Sequence, residues 1–155
     1  MTVADIYADR VEPLVAQGAE AAPADRVHAV ECDVFSPCAL GAVINGDTIG
    51  ELRCRVIAGA ANNQLADESM GNELRDRGIL YAPDFAVNAG GVINIGEELN
   101  GPYDADRARR SVERIGDTLA AVFERARETG VTPHQAALQM ARERIDAARS
   151  ASAHR

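Results

Sequence analysis

Residues 53–63 read Arg53-Cys54-Arg55-Val56-Ile57-Ala58-Gly59-Ala60-Ala61-Asn62-Asn63. Two β-branched residues are followed by small residues and then by two amides. That is the signature of a buried strand that stops at a loop, and 53–60 is read as a strand. Similar units flank it. Val30-Glu31-Cys32-Asp33-Val34-Phe35 is a strand halted at Ser36-Pro37, and Ile79-Leu80-Tyr81-Ala82 is a strand ended by Pro83. The first four residues, Met1-Thr2-Val3-Ala4, form a short strand that stops at Asp5.

Helical patterns separate these strands. Residues 7–17 place Val11, Leu14 and Val15 on one face and stop at Gly18. The stretch from 18 to 29 is polar and alanine-rich, with Pro23, and no element is assigned there. Residues 38–52 are read as partly helical, 67–77 as a polar helix closed by Gly78, and 86–99 as a glycine-containing helix. Short apolar strands alternating with helices imply an α/β fold with a parallel sheet.

The last third differs in character. Val112, Ile115, Leu119, Val122, Phe123 and Ala126 recur at helical spacing, so 104–128 reads as one long amphipathic helix ended by Gly130. Thr132-Pro133-His134-Gln135 then supplies an N-cap, a first-turn proline and a capping-box glutamine. The final helix is expected to run to about residue 149, and 150–155 to fray.

Composition narrows the function. The 155 residues carry 24 acidic and 16 basic side chains, a net charge of −8, and all the basic ones are arginine. That balance argues against nucleic acid or an anionic membrane as partner, because both require a positive face. Three cysteines, Cys32, Cys38 and Cys54, imply no disulfide framework and lack metal-ligand spacing. They read as reduced, buried thiols. No apolar run is long enough to span a bilayer, and the first residues lack a signal pattern, so a cytoplasmic protein is expected.

In open parallel sheets, ligands bind beyond the carboxyl ends of the strands. Asp5-Ile6, Ser36-Pro37-Cys38-Ala39 and Ala60-Ala61-Asn62-Asn63 lie at such ends, and the fourth strand leads to Asn88-Ala89-Gly90-Gly91. Asp5 is suited to a ribose diol, or to capping a helix. Asn62 and Asn63 can pair with a carboxamide, or form an Asx turn. Gly90 and Gly91 let a ligand approach the backbone, or let a helix pack closely on a strand. Asp84 reads as a turn or cap residue. The histidines 28, 134 and 154 form no ligand set, and the arginines between 107 and 114 read as a solvated face. The residues by themselves go no further than a nucleotide-type ligand.

Taken together, four segments resemble the glutamate/leucine/phenylalanine/valine dehydrogenase family. They are Cys32-Asp33-Val34-Phe35-Ser36-Pro37-Cys38-Ala39-Leu40-Gly41, Val56-Ile57-Ala58-Gly59-Ala60-Ala61-Asn62-Asn63-Gln64-Leu65, Gly78-Ile79-Leu80-Tyr81-Ala82-Pro83-Asp84, and Asn88-Ala89-Gly90-Gly91-Val92-Ile93-Asn94. The likeness runs from about residue 1 to about 149 and is strongest to the leucine-dehydrogenase branch. The resemblance implies NAD-dependent oxidative deamination of an L-amino acid to its 2-oxo acid, with a branched-chain or aliphatic side chain favoured. It implies that 1–103 is a partial dinucleotide-binding domain on which 104–149 packs. Carried over by position, Asp5 meets the adenosine ribose and favours NAD over NADP. Ile6 lies against the adenine. Cys38 and Ala39 pass the adenosine, and Asn62 and Asn88 hold the nicotinamide carboxamide. Gly90, Gly91 and Val92 border the substrate.

The resemblance also shows what this chain lacks. The expected fold is a Rossmann-like parallel sheet without its first strand, followed by two long C-terminal helices. No G-x-G-x-x-G is present, so the pyrophosphate loop is missing. The family's catalytic lysines sit in a substrate domain that this chain does not resemble, and the chain contains no lysine. No residue here is therefore assigned a catalytic role. The implied partners are an amino-acid or 2-oxo-acid substrate, a separate N-terminal catalytic domain, and further copies in a homo-oligomer. Two other readings stay open: a non-catalytic nucleotide-binding module, and an interaction remnant.

Overall fold

The computed structural model describes residues 1–99 and 101–153. The chain begins with a β-α-β unit, in which β1 (Thr2–Val3) leads into α1 (Ala8–Val15) and returns as β2 (Glu20–Ala21). The two strands pair in parallel, Thr2 opposite Glu20 and Val3 opposite Ala21. The stretch left unassigned in the sequence thus holds a strand. It is two residues long, exposed and without a β-branched residue, so propensity gives no sign of it.

Three further strands form a second parallel sheet in the order β3 (Cys32–Phe35), β4 (Cys54–Ile57), β5 (Leu80–Tyr81). Register places Val34, Val56 and Leu80 in one row and Phe35, Ile57 and Tyr81 in the next. Because side chains alternate across a strand, the two rows face opposite sides. The Phe35 row is buried. It packs with Leu74 of α2 (Ser69–Asp76), with Ile79 and with Ile44, Ile49 and Leu52. Ile44, Ile57 and Leu74 are fully buried, each contributing about 1.5–3 kcal/mol relative to exposure. The Val34 row stays open: Val34 is 54% exposed and Leu80 41%.

The segment 38–52 departs from the helical expectation. Apart from one 3-10 turn at Ile49–Glu51 it is irregular, and it is held by tertiary hydrogen bonds. Ala42 N donates to Asn63 O at 2.7 Å, Ile44 N to Gln64 O, and Ala66 N to Ile44 O. The expected helix at 86–99 begins two residues early and breaks once. A short α3 (Asp84–Val87) ends at Asn88, and α4 (Gly90–Leu99) restarts after Ala89.

Among the described residues the tail holds three helices where two were expected. α5 (Ala105–Glu113) ends at Arg114, and α6 (Ile115–Thr129) follows at once. α5 packs on α4, whereas α6 packs on α3 and on α7 (Pro133–Ala153). A bend at Arg114 lets one continuous apolar stripe serve two sets of neighbours, which periodicity does not reveal. Val122 and Ala126 of α6 meet Ala136 and Ala137 of α7 in a second small core. α7 continues to Ala153, four residues beyond the expected end and through most of the segment expected to fray. Its residues from 141 to 152 are all exposed. His154, read as part of no ligand set, lies outside the described residues.

Candidate functional site

The loops that follow β3 and β4 are locked together. Ala58 N donates to Phe35 O and Ala61 N to Pro37 O at 2.9 Å. A Cβ on Gly59 would lie 2.1 Å from Pro37 O, and one on Gly41 would lie 2.8 Å from Asn62 O. Both glycines are needed for this close approach of two backbones. Asn63, at φ 53, turns the chain in the left-handed region that asparagine tolerates.

Below the loop sits a buried polar pin. Gln64 is fully buried, and its Nε2 donates to Gly59 O at 2.8 Å and Ala61 O at 2.9 Å. Its backbone N–H donates to Asp84 Oδ2 at 3.2 Å, while Asp84 Oδ1 accepts from Phe85 N at 2.9 Å. Asp84 is the first residue of α3, where Pro83 holds the N-cap position, so it is not the cap the sequence suggests; its carboxylate instead ties α3 to the loop after β4. Tyr81 Oη accepts from Asp84 N. Burial, together with the Asp84 charge, pushes the Tyr81 phenol well above its ordinary range. Sequence reasoning gave Gln64 no role. Its only signal was its place beside the two asparagines.

This scaffold brings two of the nominated residues into contact. Asn88, between α3 and α4, donates from Nδ2 to Asn62 Oδ1 at 2.7 Å and lies 3.4 Å from Ala60 O. Asn62 Nδ2 and Asn88 Oδ1 have no hydrogen-bond partner among the described residues. One amide donor and one amide acceptor thus remain side by side, the complement of a carboxamide.

Gly90, Gly91 and Val92 form the first turn of α4, next in the chain to Asn88. A Cβ on Gly91 would meet nothing within 4 Å, and one on Gly90 only Val112 Cγ2 at 3.9 Å. Packing within this chain does not require either glycine. Val92 is 67% exposed. Cys38 and Ala39 lie exposed in the loop after β3, Cys38 with its Sγ 3.4 Å from Ser36 Oγ. The expectation of buried thiols is thus corrected for Cys38. Cys54 is buried and Cys32 half-buried, and burial raises both thiol pKa values.

Asp5 and Ile6 stand apart from that cluster, at the end of β1 on the other sheet. Asp5 Oδ1 accepts from Tyr7 N at 3.0 Å, and Oδ2 lies 3.6 Å from Arg10 Nη1. Both residues border a groove lined also by Ala8, Val11, Val15 and Ala21. His28 is buried against Glu51 at 2.7 Å, and His134 meets the Phe85 ring edge-on, so neither touches the cluster. Hydrogen bonds from His28 and Arg26 hold the Glu51 carboxyl below its ordinary pKa.

A sequence model of the glutamate/leucine/phenylalanine/valine dehydrogenase family matches residues 3–153. The chain belongs to that family. Leucine dehydrogenase of Thermoactinomyces intermedius is 48% identical over 147 residues, which cover 94% of this chain and 40% of that protein. Valine dehydrogenase of Streptomyces coelicolor is 50% identical over 117 residues, covering 76% of this chain and 32% of that one. The crystal structure of L-tryptophan dehydrogenase from Nostoc punctiforme superposes with a TM-score of 0.90 at 41% identity, over 94% of this chain and 44% of that one. The amino-acid dehydrogenase fold expected from the sequence is therefore present, with its parallel strands and C-terminal helices. This member of the family spans about 40% of the length of the leucine dehydrogenases it matches.

Proposed function

We propose that this chain forms most of the NAD-binding domain of a dehydrogenase that oxidatively deaminates a branched-chain or aliphatic L-amino acid. On this reading it is inactive without the lysine-bearing domain. The carrying observation is the Asn62–Asn88 pair, which leaves a free amide donor and acceptor beyond the ends of β4 and β5. These two side chains suit the nicotinamide carboxamide, and Asp5 with Ile6 suits the adenosine end. The residues present fit those two ends of the dinucleotide. They offer no glycine-rich turn for the pyrophosphate.

NAD supplies a hydride acceptor when bound. The chain's own part is to orient it: the amides fix the ring by its carboxamide, and Gly90 and Gly91 leave room for a substrate above α4. The acid–base step needs a group that titrates near neutrality, and arginine stays protonated. That step belongs to the lysine-bearing domain. The exposed Val92 would add one apolar wall to the substrate pocket. A cytoplasmic oligomer completes the proposal. It is in line with the hetero-hexameric glutamate dehydrogenase of Thermus thermophilus, a structural neighbour at a TM-score of 0.67 and 25% identity.

Titration of the purified chain with NADH, followed by calorimetry, tests this reading. Saturable binding with a Kd below about 1 mM, roughly 4 kcal/mol, is expected. Asn88→Ala should weaken it by about tenfold, the effect of about one hydrogen bond. NADPH should bind less well, because Asp5 repels a 2′-phosphate. Failure to saturate, or equal affinity for wild type and Asn88→Ala, would count against it.

A further inference from the structure

Strand pairing brings together two thiols that the sequence keeps far apart. Cys32 opens β3 and Cys54 opens β4, and the parallel register sets them side by side. Register partners in a parallel pair project to the same side of the sheet. Cys54 is buried in the core around Ile57 and Leu74, and Cys32 packs against that core half-buried. Burial raises the Cys54 thiol most, and the Cys32 charge raises it further, an interaction between close neighbours.

Spacing decides what the pair can hold. Neighbouring strands lie about 4.7–4.9 Å apart and their side chains stand nearly parallel, so the two Cβ atoms stay about as far apart as the strands. A disulfide needs Cβ atoms about 3.5–4.5 Å apart and leaning together, which this pair reaches only by moving backbone. A cation between the sulfurs suits the gap. At a metal–thiolate distance of about 2.3 Å, a linear sulfur–metal–sulfur unit spans about 4.6 Å. We propose that Cys32 and Cys54 form a two-coordinate thiolate site for a single soft monovalent cation of the Cu(I) class.

Ligand number argues for that class. Among the described residues no group of three or more His, Cys, Asp and Glu side chains converges, which leaves out a four-coordinate zinc site and an oxygen cage for a hard cation. Two sulfurs alone match a soft cation. Binding exchanges two S–H bonds for two S–metal bonds, releases two protons to solvent and moves no electron. The bound unit carries one net negative charge, and Arg77 is the cation beside it. Arg77 donates to Gly50 O and Leu52 O just before β4, and its charge opposes the rise of the Cys54 pKa. Half-buried Cys32 provides the way in. The site is independent of the NAD reading: it lies at the amino ends of β3 and β4, whereas Cys38 and Asn62 follow their carboxyl ends.

The test titrates the full chain, reduced and held under argon without nucleotide, into the coloured Cu(I) complex of bathocuproine disulfonate. The chain should withdraw one Cu(I), and X-ray absorption should show two sulfur neighbours at the metal with no nitrogen or oxygen. Cys32→Ser and Cys54→Ala should each weaken withdrawal by at least about tenfold, no less than the loss of a supporting contact around a metal. Cys38→Ser should leave it unchanged. Cys32 is half-buried, so its serine variant should keep the circular dichroism of the parent chain, which separates lost ligation from lost folding. No withdrawal from the chelator, withdrawal that depends on Cys38 instead, or three or more neighbours at the metal would each overturn the proposal. So would a folded Cys32→Ser variant that withdraws Cu(I) as the parent chain does.

Discussion

Gln64 shows how much one buried side chain organises. Its amide spans the turn from Gly59 to Ala61, and its backbone is anchored by Asp84 from the next unit. The loop that presents Asn62 is thereby fixed from beneath, out of reach of solvent. Gln64→Leu keeps the volume but leaves two carbonyls without their side-chain donor. The expected cost is about 1–3 kcal/mol of stability, read from urea denaturation. A change below a few tenths would show that the loop holds without the pin. The asparagines at the surface were legible as candidates because strand ends point to them. The pin was not, because a glutamine in a polar run resembles any solvated residue until its burial is known.

At the scale of the element, local chemistry was readable wherever a signal is local. The Thr132–Gln135 capping box forms as its residues dictate: Thr132 N donates to Gln135 Oε1 and Gln135 N to Thr132 Oγ1, both at 3.2 Å. Thr132→Ala should cost about 1 kcal/mol, measured by thermal unfolding, and Thr132→Ser should recover most of it. β3, β4 and β5 were legible from their apolar runs and the Pro or Gly that ends them. β2 and the 38–52 segment were not, because both are set by pairing partners elsewhere in the chain. The sheet also has a pH signature. Cys32 and Cys54 pair across β3 and β4, and burial raises both thiols and the Tyr81 phenol on β5. These groups favour the neutral form when folded. Stability is thus fully present below their unfolded values and declines as pH rises past about 9. Tyr81→Phe should flatten the loss above about pH 10 in denaturation series at constant ionic strength. An unchanged slope would place the loss on the thiols alone.

At the scale of the whole molecule, the described residues form two apolar clusters, and neither includes any residue before Val27. The opening β1-α1-β2 unit is held by one short parallel pair and by a helix that buries nothing. Sub-global opening follows the density of buried contacts, so this unit should open at far lower free energy than the sheet around Ile57 and Leu74. Amide exchange should be fast over residues 2–21 and slowest in β4 and α2. Limited proteolysis should cut first near Gly18, which at φ 96 sits in the exposed turn after α1. Uniform protection with a single cooperative melt would contradict this, and would mean that the two sheets are coupled through contacts stronger than their burial implies. The same asymmetry bears on function. Asp5 and Ile6, proposed above for the adenosine end, sit on the weakly held unit, whereas Asn62 and Asn88 sit on the well-packed one. NADH bound at both ends should therefore slow exchange in residues 2–21 more than in β4. Slowing confined to the Asn62 loop would mean that the nicotinamide end binds alone.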